Sequence, residues 1–248
     1  MFHQILGSLI PILELDLEPG ESVMARSGEL AWITPCIKVL AARVGEDPAL
    51  PALVADSLGM TAYKAIGGRG LVAFAARLPG QVLQLEVDEE HPYYVHGHGF
   101  ICGQPGVWLS TGFTSQAAAA GGDDFVLRHL SGRGIGFVEL HGEVTVRDLR
   151  AGSLVAVRPG HIGLLEGSVQ IGEEILVGGQ SEPLVQGGTK LVTLKGPGRI
   201  WLQSLTLPYL AEALGIAQHK AGHQGGLSPE DPTTPAAPET LGEPAQPG

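Results

Sequence analysis

The stretches Gly68-Arg69-Gly70-Leu71-Val72-Ala73-Phe74, Gly132-Arg133-Gly134-Ile135-Gly136-Phe137-Val138 and Gly196-Pro197-Gly198-Arg199-Ile200-Trp201-Leu202 share one plan. Their first glycines stand at 68, 132 and 196, evenly spaced. Each follows an apolar stretch: Ala62–Ile66, Phe125–Leu130 and Leu191–Leu194. The plan reads as strand, Gly-x-Gly turn, strand. Two glycines at i and i+2 suit a tight hairpin, because glycine takes positive φ without penalty. Gly68, Gly70, Gly132, Gly134, Gly196 and Gly198 are therefore expected to be structural turn residues.

A second motif recurs outward from these turns. Leu17-Glu18-Pro19-Gly20-Glu21-Ser22-Val23 matches Leu149-Arg150-Ala151-Gly152-Ser153-Leu154-Val155, with Leu78-Pro79-Gly80-Gln81-Val82 as a looser copy. Three β units follow, at about 1–77, 78–148 and 149–207, stacked around a closed or sandwiched core. Alternation puts Leu13, Leu15 and Leu17 inward on one strand, and Leu83, Leu85 and Val87 on one face of another. Val23–Ile33 reads as a hairpin bent at Ser27-Gly28. Pro11 is expected to keep the first strand near a sheet edge. The loop 35–61 should hold a short helix around Ala52–Leu58. Loops at Thr111–Asp124 and Val177–Thr189 should connect strands in the later units. A helix is expected over 208–220, with Pro208 in its first turn and Thr206 as cap.

Composition agrees with an all-β class. The 248 residues include 37 glycines and 18 prolines, with 17% charged, which favours short strands joined by tight turns. Residues 1–221 are expected to form a single all-β domain. From 222 to 248 the chain has six prolines and no aromatic residue, and should be a disordered acidic tail. Its four carboxylates account for part of the net charge of −11. A chain this acidic is a poor generic partner for nucleic acid. Two cysteines are too few for a disulfide framework. With no secretory pattern and no 18-residue apolar run, the cytoplasm is the expected compartment.

The opening Leu17–Val23, the central Leu130-Ser131-Gly132-Arg133-Gly134, the step Val157-Arg158-Pro159-Gly160-His161 and the closing Gly196–Gln203 together resemble the altered-inheritance-of-mitochondria family, in its prokaryotic branch. The resemblance covers about residues 1–215. It implies a β-sandwich or double-stranded β-helix fold similar to the tryptophan RNA-binding attenuator, and a homo-oligomer, a trimer. Eukaryotic members are mitochondrial and linked to inner-membrane organisation. Bacterial members have no settled activity, and no catalytic residue carries over. The sequence departs from the family in its Pro- and Ala-rich 35–61 loop and in a histidine cluster in the middle unit.

That cluster, His91-Pro92-Tyr93-Tyr94-Val95-His96-Gly97-His98-Gly99-Phe100-Ile101-Cys102, is the sharpest candidate for chemistry. On a regular strand His96, His98 and Cys102 share a face and could ligate a transition metal. A cupin-like metal-dependent enzyme using His96 and His98 is one reading. Against it, no glutamate follows at the expected distance, and a bend at Gly97 or Gly99 would separate the ligands. Glu139, His141 and Glu143 alternate with apolar or small residues, as on a solvated strand face. Arg69 and Arg133 occupy the same turn position. His161 closes a turn or meets another subunit. No Walker loop or nucleophile elbow occurs. An attenuator-type nucleic-acid regulator needs lysines and aromatics along an edge, and aromatics are 5% here. The favoured expectation is a non-catalytic, self-assembling scaffold or binding protein. It would need no cofactor, and would meet a protein partner or a membrane surface peripherally.

Overall fold

The computed structural model describes residues 1–41, 60–114, 126–177 and 189–215. The helix expected around Ala52–Leu58 and the tail 222–248 lie outside them. The strands come in three successive sets. The first has β1 (Phe2–Leu6), β2 (Ile12–Leu17), β3 (Ser22–Arg26), β4 (Leu30–Ile33), β5 (Ile37–Ala41), β6 (Met60–Ala65) and β7 (Gly70–Ala75). The second has β8 (Gly80–Val87), β9 (Tyr93–His96), β10 (Phe100–Gly103), β11 (Val107–Thr114), β12 (Val126–Gly132) and β13 (Gly134–His141). The third has β14 (Val144–Leu149), β15 (Leu154–Val157), β16 (Ile162–Glu166), β17 (Gln170–Val177), β18 (Thr189–Lys195) and β19 (Gly198–Gln203). Helix α1 (Leu207–Ala213) follows. Residues Met1–Gln218 form one compact unit.

The fold is all-β, with antiparallel pairing throughout. Four sheets run β1-β2-β7-β4, β5-β6-β3-β10-β13-β8, β11-β12-β9-β16-β19-β14 and β15-β18-β17. Strands adjacent in sequence mostly belong to different sheets. β6 and β7, β12 and β13, and β18 and β19 flank the Gly-x-Gly stretches, yet none of these pairs is hydrogen-bonded. The expected hairpins are therefore corners that carry the chain from one sheet to its neighbour. The same correction applies to Val23–Ile33: β3 lies in the second sheet and β4 in the first. A two-residue primed turn would pair its flanking strands, whereas here each strand finds a better-matched partner elsewhere.

The three corners also differ. Met60–Ala65 and Gly70–Ala75 are separated by four residues, and the positive φ there falls on Gly67 (79°). Only Arg133 separates β12 from β13, with Gly132 at φ 107° and Gly134 at 143°. In the last corner Gly198 alone has positive φ, at 141°.

Strand alternation does the burying. Leu13, Leu15 and Leu17 are fully buried on β2, each worth about 1.5–3 kcal/mol of transfer free energy. They join Phe74, Tyr63, Ala25 and Phe137 in a cluster linking the first and second sheets. Leu85, Val87 and Leu140 meet Val95, Leu130 and Leu164 between the second and third, with Leu83 packed alongside. Leu165 and Ile200 meet Val192 and Leu194 between the third and fourth.

β2 lies near the sheet edge as expected, one strand in, with β1 outermost. Pro11 lies just before it, so the proline costs the ladder nothing, and β1 pairs along it from Phe2↔Asp16 to Leu6↔Ile12. Thr111–Thr114 and Val177, expected in loops, continue β11 and β17. The Thr206 side chain caps α1 by accepting from the Tyr209 N–H at 3.4 Å. The helix stops at Ala213, short of the expected 220, because Gly215 turns at φ 66° and donates to the Glu212 carbonyl.

Candidate functional site

The densest group of titratable side chains lies where the first set of strands meets the second. β13 runs between β10 and β8 in a six-stranded sheet that is packed on both faces, Phe137 against the first sheet and Val138 and Leu140 against the third. Glu139 and His141 are consequently 3% exposed, not on the solvated face that their alternation with Leu140 and Gly142 predicts. Glu143, beyond the strand, is exposed.

A buried carboxylate needs partners. The Arg77 backbone N–H donates to Glu139 Oε2 at 2.9 Å. The Arg77 guanidinium in turn pairs with buried Glu29, Nε to Oε2 at 3.0 Å. Burial pushes the Glu29 carboxyl upward against the pull of Arg77. Burial also lowers the neighbouring Arg26, whose guanidinium reaches the Gly97 carbonyl at 3.4 Å. On the other side, His141 Nε2 is 3.8 Å from Glu139 Oε1. The His96 ring stands edge-on to it, centroids 4.7 Å apart, with Nε2 at 3.0 Å from the Glu139 carbonyl oxygen. Burial, followed by the nearby His141, drives His96 down to about 3, so its imidazole is neutral at pH 7. As a neutral ring it donates Nε2–H to that carbonyl. The network continues into the third set of strands. The His141 N–H donates to Gln203 Oε1, and Gln203 Nε2 donates to the Gly160 carbonyl.

The proposed metal ligands do not converge. His98 stands in the turn Gly97–Gly99 between β9 and β10, so the regular strand that would align it with His96 and Cys102 is broken. Gly99 is required there, since a Cβ would lie 2.6 Å from His96 Nε2. Partial burial and Arg26 hold His98 below its ordinary value. Cys102 packs into the first cluster with Ala25 and Phe137, and burial pushes its thiol well up, away from the thiolate a metal needs. Among the described residues no group of three His, Cys, Asp or Glu side chains is arranged to hold a metal ion. Arg69 faces Asp16 at 3.0 Å across the β2–β7 ladder, and Arg199 faces Asp148 at 2.7 Å across β14–β19. His161 ends a 3-10 turn, with Nδ1 at 2.8 Å from the Gln203 carbonyl oxygen.

Glu29, Arg77 and Gln203 were not legible as site residues. A signal existed for one of them: Arg77 follows Gly68 at the same distance as His141 follows Gly132. An open groove of about 540 Å³ lies elsewhere, lined by Tyr94, Phe113, His129, Val169 and Ile171 among others. The Tyr94 and His129 rings meet there at a tilt of 41°, centroids 5.1 Å apart.

The arrangement is a lock. Replacing Glu139 by alanine leaves the part-buried Arg77 N–H without its acceptor and is expected to cost about 1–3 kcal/mol. Glu139→Gln, which keeps an acceptor, should recover most of it in urea unfolding.

Comparison with known families follows the same outline. The model of the family described as Mitochondrial biogenesis AIM24 matches residues 3–205. The chain belongs to this family. Among solved structures, the crystal structure of protein SPYM3_0169 from Streptococcus pyogenes superposes with a TM-score of 0.69 at 21% identity, over 86% of this chain and 98% of that one. At that identity the likeness concerns the fold. No match was found among curated proteins. The AIM24 match spans all three strand sets and both sides of the buried lock. Among the described residues of this AIM24 family member, no helix is long and apolar enough to cross a membrane.

Proposed function

We propose that this AIM24 family member is a non-catalytic, self-associating β scaffold, and that it assembles as a trimer. The observation that carries the reading is a contrast. The conspicuous titratable groups are engaged inside the fold, while Phe2, Leu6, Leu9 and Ile10 stand exposed near β1. Buried polar groups tied to one another and to the backbone, as Glu139 is to Arg77 and His96 to the Glu139 carbonyl, rigidify a frame. Exposed apolar residues grouped near one strand are what association removes from water.

On this reading the protein belongs to the prokaryotic branch of the family, has an attenuator-like fold, works in the cytoplasm and needs no resident cofactor. Its partners are further copies of itself and, through that assembly, a protein or membrane surface met peripherally. Gel filtration with light scattering is expected to give a mass three times that of the 25.8 kDa chain. A monodisperse monomer overturns self-association. Elemental analysis of untagged protein tests the rest: stoichiometric metal that disappears in His96→Ala would establish the cupin-like enzyme instead.

A further inference from the structure

The strand pairings name a place where copies would join. β2, β8 and β14 pair with β7, β13 and β19 respectively. β4, β10 and β16 pair with the other edge of those same three strands. β3, β9 and β15 pair with β6, β12 and β18. One further joint links successive sets: β10 pairs with β3, and β16 pairs with β9. By this rule β15 should receive the strand equivalent to β10 and β16, and β4 should receive the strand equivalent to β3 and β9. Among the described residues neither is present. β4 ends the first sheet and β15 ends the fourth.

Burial marks the same two strands. Phe100 to Gly103 on β10 and Ile162 to Leu165 on β16 are all buried, whereas on β4 Trp32 is 42% and Ile33 36% exposed. Val23 to Ala25 on β3 are buried, whereas Leu154 on β15 is 63% exposed and Ala156 is exposed. Neither β4 nor β15 contains a charged residue or a proline, the devices that normally protect a sheet edge. Among the other sheet ends β5 carries Lys38, β8 carries Glu86, β14 carries Arg147 and Asp148, and β17 carries Glu173 and Glu174, whereas β1 and β11 are uncharged but are not left over by the pairing rule.

The geometry points to head-to-tail association in which β15 of one copy pairs antiparallel with β4 of the next, giving the order β17-β18-β15-β4-β7-β2 of the two six-stranded sheets inside the chain, with β1 added outside β2. This rests on the self-association reading above and supplies its interface. The register follows from the internal joints. Trp32 holds the ladder position of Cys102 and Leu164, which pair with Ala25 and Val95; Val157 holds the position of those partners. Trp32 therefore faces Val157 of the next copy, and Ile33 faces its Ala156. Such a contact uses two different surfaces, so it closes into a ring only if the rotation per copy divides a full turn.

Lysine placed on either edge blocks it. In the full chain, Ile33→Lys and Ala156→Lys, with Ala31→Lys and Leu154→Lys as second choices, are made at positions outside the buried lock. Thermal unfolding matching the wild type selects the folded variants. Light scattering is then expected to show each single variant as a 25.8 kDa monomer. An equal mixture of one β4 variant and one β15 variant should form a dimer, because each retains the edge the other lacks. Three results count against the joint. If the wild type is itself a monomer, the self-association reading fails together with it. If single variants keep the wild-type mass, copies associate through another surface such as β1, and only this joint fails. If the mixture stays monomeric, the two edges are not each other's partners.

Discussion

Gly132→Ala is expected to destabilise the protein by at least about 3 kcal/mol, while Gly68→Ala stays within about 1 kcal/mol of wild type. The two glycines open equivalent stretches in the sequence, and only geometry separates them. Gly132 sits at φ 107°, which an L side chain rarely adopts. Its added Cβ would lie 2.1 Å from the Gly106 carbonyl oxygen and 2.9 Å from the Trp108 ring. The carbonyl belongs to the backbone, and Gly106 O already accepts from the Arg133 N–H, so it cannot withdraw without losing that bond. Gly68 has no positive φ, and its Cβ would meet only the Cys36 Sγ at 3.3 Å, which a small side-chain shift relieves. In a domain of this size, 3 kcal/mol corresponds to a fall in Tm of roughly 6–12 °C. Urea midpoints for the two variants check the contrast, and equal losses would refute the account of the corner.

The second large effect is acid lability centred on His96. Its folded-state value of about 3 lies below the ordinary 6.5 because the charged ring would be buried beside His141. Between those values the unfolded chain binds the proton and the folded chain does not. Stability therefore rises with pH across that window and falls on acidification, by about 1.4 kcal/mol per pH unit once below 6.5. Going from pH 6.5 to pH 5 should remove about 2 kcal/mol. Glu29 acts in the opposite sense, since its raised value adds stability that is lost as pH rises through it. His96→Gln keeps a donor for the Glu139 carbonyl but cannot titrate. Its unfolding free energy should be flatter between pH 5 and 6.5 than that of wild type. A wild-type slope in His96→Gln would mean that another group carries the acid response.

Much of the architecture was readable from side-chain period. Leu13, Leu15 and Leu17 alternate with acidic residues, and a two-residue period has only one way to bury three leucines. Thr206 and Pro208 announced the start of α1 for equally local reasons. β1 was missed because Phe2–Leu6 shows no alternation: it pairs at an edge with most of its side chains exposed. The candidate site was less legible. Glu139-Leu140-His141 follows the same alternating rule as a solvated strand. Whether its polar face meets water depends on what packs over it, and Arg77 and Glu29 are brought there from far earlier in the chain.

The amino-acid sequence by itself determined that the chain makes short strands with defined inner faces, where those strands turn, and how the turns are spaced. These properties rest on backbone freedom and side-chain period, which act over a few residues. Only the tertiary structure decided which strands became neighbours, that the Gly-x-Gly stretches are corners between sheets, and that Glu29, Glu139, His141 and His96 are buried near one another with Arg77 reaching Glu29 and Glu139 from the surface. Hydrogen-bond partners in a sheet are chosen by burial of matching faces across the whole chain, a condition that no single segment carries.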